Sequence, residues 1–153
     1  EHPVDFIRLT ALRTNRYFSA ARPMGFWFYD SGWSQFAFVL SSAIWAFLVL
    51  VLSLYAGIKL WTSRNNVLNY AFAFATLTPL ILLITVVETR YRFQIYPLLA
   101  LFAGYGGALL WQNKKKIKEK AFIIAFTIIS LNAVIDLSLS MGKLKEKLSL
   151  FMW

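Results

Sequence analysis

The sequence predicts an all-α, polytopic membrane protein, with about four transmembrane helices preceded by an interfacial amphipathic helix. Composition is the first observation behind this prediction. The 153 residues are 59% hydrophobic and 15% charged, with a mean hydropathy of +0.58, whereas globular domains are about 45–50% apolar and about 25% charged. The second observation is that the apolar residues form long stretches, close to the roughly 20 residues that cross a bilayer. A soluble domain of this size cannot bury such an excess, and the composition also excludes disorder.

Four spans are predicted between short polar connections, at residues 36–60, 67–87, 95–111 and 121–139. Lys59, near the end of the first span, can extend its ammonium group to the headgroups. Alternation typical of a β-barrel is not seen, and short connections make successive helices antiparallel neighbours. Together with a tail that has the pattern of a short interfacial amphipath, these spans form a transmembrane region over residues 34–153.

Residues 1–33 form a separate N-terminal region, an interfacial amphipathic helix with an aromatic juxtamembrane segment. Pro3 fits the start of a helix, and at about 100° per residue the apolar and charged residues separate to two sides, with Leu9 and Leu12 as exceptions. The apolar side holds Val4, Phe6, Ile7, Ala11, Tyr17 and Phe18, and the charged side holds Asp5, Arg8, Arg13 and Arg16. The segment GFWFYDSGW, next along the chain, is typical of an interfacial aromatic belt.

The net charge of +9 comes from basic residues that lie mostly between the apolar runs. Phospholipid headgroups and membrane topology explain this placement, so nucleic acid is not expected as a partner. Five lysines fall within KKKIKEK, residues 114–120. Because short basic loops stay in the cytoplasm, this segment is predicted to be cytoplasmic. The amphipathic helix, residues 88–94 and the C-terminus are then predicted to face outside.

Several kinds of chemistry are excluded by the residues present. The sequence has no cysteine and one histidine, His2, so disulfides, thiolate sites and a histidine-based metal site are not expected. No serine triad, dinucleotide motif or useful pair of carboxylates is visible. We therefore predict no catalytic residue and no metal ligand within this sequence.

The segment ETRYRFQIYP, residues 88–97, is the strongest candidate for a binding site. Arg90 and Arg92 are two residues apart, so on an extended backbone both side chains point the same way. Such a guanidinium pair can bind a phosphate in forked geometry, and Glu88 can orient one arginine. Arg90, Arg92, Glu88 and Tyr91 are thus candidate lipid-phosphate or substrate-binding residues. The alternative is a hairpin turn, in which Glu88 pairs an arginine, the tyrosines anchor the interface and Pro97 starts the next helix.

Three further features each leave two interpretations open. The small residues of the third span allow close helix contact or a groove for a lipid tail; they are Ala100, Ala103, Gly104, Gly107 and Ala108. Asp136, one turn after Asn132, is a functional candidate as an intramembrane acid, or it lies near a boundary and reaches water. Asp30 is either a general base or part of a turn.

ETRYRFQIYPLLALFAGYGG resembles a stretch near the C-terminal end of the membrane-embedded GT-C glycosyltransferases, the group related to protein O-mannosyltransferases and to the lipid A aminoarabinose transferase. The residues that match its E-x-R-Y-R-x-x-x-x-P-like motif are Glu88, Arg90, Tyr91, Arg92 and Pro97. Gln94 departs from it, since a proline is often found there. The opening EHPVDFIRLTALRTNRYFSA resembles the juxtamembrane segment before the last helices of these enzymes, with counterparts at His2, Pro3, Phe6 and Phe18. The resemblance covers about residues 1–111.

This resemblance implies a transferase that moves a sugar from a polyprenyl-phosphate carrier to an extracytoplasmic lipid, glycan or protein, in a prokaryotic plasma membrane. The catalytic acids of such enzymes lie in a first extracytoplasmic loop that this sequence lacks. We therefore expect the C-terminal transmembrane part of a longer enzyme, inactive alone, which is consistent with a start at Glu1 rather than Met. Expected partners are membrane lipids, a polyprenyl-phosphate lipid and a missing N-terminal catalytic half. The use of a divalent metal stays open. The alternative is a non-enzymatic four-helix subunit that packs against a larger partner.

Overall fold

The computed structural model describes residues 3–18, 33–63, 66–85, 95–112 and 119–151, and the regular secondary structure of these residues is helical throughout. The all-α prediction is confirmed for this part of the chain. The five helices, in chain order, are α1 (Pro3–Tyr17), α2 (Trp33–Thr62), α3 (Asn66–Thr85), α4 (Tyr96–Gln112) and α5 (Lys120–Phe151).

Two of the described helices contain a segment long and apolar enough to cross a membrane. These segments are Ala37–Thr62 in α2 and Lys120–Leu139 in α5, at the first and fourth predicted spans. In each, 17% of the most apolar window is buried inside the chain, so most of this surface needs another apolar environment, as a membrane-associated protein has. Four spans are not established: α4 has 17 residues, which at about 1.5 Å each is shorter than the roughly 30 Å hydrocarbon core.

The helices form a bundle in which α2 is central, packing most extensively against α4 and next against α5. Edge-to-face aromatic pairs connect neighbouring helices: the ring centroids of Phe72 and Phe102 are 5.0 Å apart, and those of Phe47 and Phe126 are 5.6 Å apart. This geometry suits the opposite charge of ring edge and ring face. Most of the buried apolar residues of the described chain fall into two clusters. The first contains Tyr17, Leu50, Val51, Ile95, Leu99 and Ile129, and the second contains Ala56, Leu60, Ala75 and Phe102.

The closest approach of α2 and α4 is at Gly106. A Cβ atom added there would lie 2.4 Å from the backbone oxygen of Leu52, so only glycine lets the two backbones come this near. A second glycine, Gly57, faces the ring of Phe72 on α3, where an added Cβ would lie 2.2–2.8 Å from ring carbons. Close packing at glycine thus joins α2 to both α3 and α4, as is common between membrane helices.

The expected small-residue ridge at Ala100, Gly104 and Ala108 is not the surface by which α4 packs on α2. All three are exposed, and a Cβ at Gly104 would meet nothing within 4 Å. The buried face of α4 is turned away from this ridge and consists of Leu99, Phe102, Ala103 and Gly106. The physical reason is that the large side chains at 99 and 102 enter the core and so set the rotation of the helix.

The helix α1 forms in the expected part of the sequence, but not all residues of its predicted apolar side are buried. Val4, Phe6 and Ile7 are exposed, whereas Tyr17 is 4% exposed and lies in the first core cluster. Within the predicted apolar side, therefore, the buried and half-buried side chains are at the C-terminal end, at Tyr17 and Phe18. The first two turns present their apolar residues outward, which agrees with a helix that also contacts lipid.

The fourth predicted span is followed by more helix rather than by a separate amphipath. α5 continues from Leu139 to Phe151 without a break. This segment contains no proline, and its one glycine, Gly142, costs a helix only about 1 kcal/mol. The sequence therefore offers no signal strong enough to end the helix at 139.

Candidate functional site

The predicted phosphate-binding residues Glu88, Arg90, Tyr91 and Arg92 lie in residues 86–94, outside the described residues, and the same holds for Asp30. The start of the next helix lies within the described residues. Ile95 is buried, and its carbonyl oxygen accepts the N–H of Leu99 at 2.9 Å as α4 begins. Pro97 is exposed in the first turn of α4, where its missing N–H leaves no helical hydrogen bond unmade.

One polar cluster joins the end of α2 to the start of α5. The Nζ of Lys59 lies 2.5 Å from Oε1 of Glu119, and the hydroxyl of Tyr55 donates to Oε2 of Glu119 at 3.2 Å. The side chains of Lys59 and Glu119 are about one third exposed. Glu119 also begins α5, because its carbonyl oxygen accepts the N–H groups of Phe122 and Ile123.

This cluster adds a protein partner to the expectation that Lys59 can extend toward the lipid headgroups. Its ammonium group is held by the carboxylate of Glu119, 60 residues away in sequence. The antiparallel packing of α2 and α5 brings the two residues together, and no local pattern around Lys59 indicates this. The arrangement neutralises one charge of each sign at the end of the bundle.

A second polar cluster lies between α1 and α5. The Nδ2 of Asn132 donates to Oδ1 of Asn15 at 2.8 Å and to the carbonyl oxygen of Asn15 at 3.2 Å. Two other amide atoms of this pair, Asn15 Nδ2 and Asn132 Oδ1, are buried and have no hydrogen-bond partner among the described residues. Asp136 comes one turn later on the same face of α5, and it is 1% exposed.

Asp136 therefore does not reach water at a helix end, which was one of the two sequence interpretations. It lies near the middle of α5, because this helix continues well beyond the predicted boundary, and it is buried in the bundle. A buried acid in an apolar helix is costly to retain, so the interpretation as a functional residue stays open.

Sequence reasoning missed Asn15, Tyr55 and Glu119 as members of polar clusters. The available signal is a spacing of four residues, which places two residues on the same face of a helix. Tyr55 and Lys59 have this spacing on α2, and Asn132 and Asp136 have it on α5. No such spacing in the sequence indicates their partners on another part of the chain, Glu119 and Asn15. Among the described residues, no group of three or more His, Cys, Asp or Glu could hold a metal ion.

Comparisons of this chain with protein families, curated proteins and solved structures give no match.

Proposed function

We propose that the chain is the C-terminal, membrane-embedded part of a glycosyltransferase that uses a polyprenyl-phosphate-linked sugar. The observation that carries this proposal is the segment at residues 88–97, whose residues resemble the GT-C motif and which follows the apolar helix α3 in sequence and ends in the first turn of α4. The proposal places α2 to α5 across a prokaryotic plasma membrane, α1 at its surface and residues 88–94 outside. The acceptor is an extracytoplasmic lipid, glycan or protein.

Under this proposal the chain binds the donor lipid and does not carry out the reaction alone. In the reaction, a nucleophilic group of the acceptor attacks the anomeric carbon and forms the new glycosidic bond while the bond from that carbon to the phosphate oxygen breaks. A carboxylate of the missing catalytic half accepts the proton that the nucleophile loses. Negative charge grows on the departing phosphate in the transition state. Arg90 and Arg92 stabilise that charge through charge-assisted hydrogen bonds. Glu88 orients one guanidinium group, and Tyr91 lies between the two arginines in sequence.

The test is the binding of a polyprenyl monophosphate to the full-length protein in lipid nanodiscs, measured by native mass spectrometry, with the matching polyprenol as a phosphate-free ligand. We expect Arg90→Gln/Arg92→Gln to weaken binding of the monophosphate by about 10- to 100-fold, since a hydrogen bond to a charged group contributes about 1.5–3 kcal/mol. Polyprenol binding should not change.

The matched control is Lys115→Gln/Lys116→Gln, which removes the same charge from the lysine-rich segment. It should leave monophosphate binding within about twofold, because general attraction to the phosphate is weak at physiological salt. Equal loss in both double variants would mean that net charge, not the arginine pair, attracts the ligand. Unchanged binding in the arginine variant would exclude the proposed role.

A second candidate function is a non-enzymatic membrane subunit, and the exposed ridge on α4 favours it. An added Cβ at Gly104 or Gly107 meets nothing within 4 Å in this chain, so a helix of a larger partner can approach here closely. Gly104→Leu should then dissociate a complex purified from native membranes while the chain itself stays folded. Co-purification of the same partner with the variant, in equal amount, would count against this function.

A further inference from the structure

We propose that α1 is a reversible strap, which docks on the bundle through Asn15 and Asn132 and withdraws Tyr17 from the core when it is released. The proposal is independent of the glycosyltransferase assignment. It concerns an equilibrium between a docked α1, as seen in the structure, and a released α1 whose apolar residues contact lipid.

The first argument is the small extent of the attachment. Residues 4–9 are all exposed, so this part of α1 contributes no buried side chain. Apart from Tyr17, α1 packs mainly against α3 and α5, and far less extensively than α2 packs against α4. Tyr17, 4% exposed, is the side chain that anchors α1 in the core.

The second argument is the nature of the joint between α1 and α5. The pair makes hydrogen bonds of 2.8 and 3.2 Å from Asn132 to Asn15, but leaves Asn15 Nδ2 and Asn132 Oδ1 buried without a partner among the described residues. A half-satisfied polar pair holds two helices less firmly than a fully satisfied pair or an apolar contact of similar shape. On release, the amide of Asn15 moves with α1 toward the membrane surface, where water and headgroups supply the partners that it lacks in the docked state.

The third argument is what release would change. Tyr17 packs in a cluster with Leu50 and Val51 of α2, Ile95 and Leu99 at the start of α4, and Ile129 of α5. Withdrawing its ring opens the core where these three helices meet, next to the first turn of α4. An opening lined by these residues is apolar. Docking and release of α1 therefore control access to the interior of the bundle.

The experiment measures distances by double electron–electron resonance in the full-length protein in nanodiscs. Residues 1–153 contain no cysteine, so spin-labelled cysteines at exposed Leu9 on α1 and Val134 on α5 report only this pair once any cysteine elsewhere in the full-length protein has been replaced by serine. We expect a main distance and a minor second distance in the parent protein, with the released population of the order of 1–10%.

Two variants should shift this equilibrium in opposite directions. Asn132→Leu leaves the acceptors of Asn15 buried and unpaired, so it should raise the released population at least fivefold. Asn15→Leu/Asn132→Leu replaces the half-satisfied pair by an apolar contact and should reduce the released population below detection. Thr127→Leu, an exposed position on α5, is the matched control and should change nothing.

A purely structural role for the asparagine pair gives a different pattern. If the single and the double variant both release α1, or if every variant shows the single distance of a fixed helix, the proposal is wrong. A second label pair at exposed Trp61 and Lys120 monitors α2 and α5. Its distance should stay constant in all variants, and a change in Asn132→Leu would show that the pair holds the whole bundle rather than α1.

Discussion

At the scale of single residues, the described glycines divide into those that set helix contacts and those that do not. Gly106 faces the backbone oxygen of Leu52, which cannot rotate away. Gly57 faces the ring of Phe72, which can adjust to some extent. Gly104 and Gly107 face open space. Glycine is thus required by packing most strictly at position 106.

This division predicts different costs for the same substitution on one helix. Gly106→Ala forces α2 and α4 apart, because its Cβ would lie 2.4 Å from the oxygen of Leu52, and we expect it to lower the free energy of unfolding by about 1–3 kcal/mol. Gly104→Ala should leave the stability unchanged or raise it by up to about 1 kcal/mol, because alanine is the better helix former. Steric trapping in bicelles measures both values. Equal effects would contradict the observed rotation of α4.

The sequence shows that α4 is rich in small residues, but it does not show which of them face α2. Small residues occupy positions 103, 104, 106, 107 and 108, so spacing alone is compatible with several rotations of the helix. Leu99 and Phe102 decide the rotation by entering the core. The energy of that burial depends on side chains of α2 and α3, which cannot be paired with α4 from a single sequence.

At the scale of helices, the sequence predicts the first and last residues of a helix well where an apolar run ends in polar residues. The first predicted span, 36–60, lies within α2 at Trp33–Thr62, and the third, 95–111, differs by one residue at each end from α4 at Tyr96–Gln112. Both depend on hydropathy, which is a local property. The end of α5 is missed for the same reason, because a change in hydropathy near 139 does not end a helix that lacks a breaker.

Contacts between helices are the part that local patterns do not contain. Asn15 and Asn132 are 117 residues apart, and Lys59 and Glu119 are 60 apart. Amphipathic periodicity puts residues on one side of α1, but the residues of that helix that are buried or half-buried lie in its last turns. The candidate site at Arg90 and Arg92 is supported by the sequence alone, because it lies outside the described residues.

At the scale of the whole molecule, the two polar clusters mark two levels along the bundle. Lys59 and Glu119 bring the end of α2 to the start of α5. Asn132 is 13 residues further along α5, about 20 Å away at 1.5 Å per residue. In sequence, the lysine-rich segment, residues 114–120, leads into the start of α5, where Glu119 lies. Trp33, where α2 begins, lies at the opposite end of that helix.

This polarity predicts how single cysteines are labelled by a membrane-impermeant maleimide in intact cells. Because positive charge favours the cytoplasm, Ser63→Cys, just after α2, should react only after the membrane is permeabilised. Lys120→Cys should behave like Ser63→Cys, since the Lys59–Glu119 contact holds their helix ends together. Trp33→Cys, 86% exposed, should react in intact cells. Residues 1–153 contain no native cysteine, and the cysteine-free parent protein is the background control.

The three possible patterns have different consequences. If Trp33→Cys and Ser63→Cys react from one side, α2 does not cross the membrane, and the spanning architecture is wrong. If all three positions react from the side opposite to expectation, the bundle is inverted and residues 88–94 face the cytoplasm. An extracytoplasmic sugar transfer would then be excluded, because Arg90 and Arg92 would lie on the wrong side of the membrane. The expected pattern keeps the arginine pair on the side where the proposed acceptor lies.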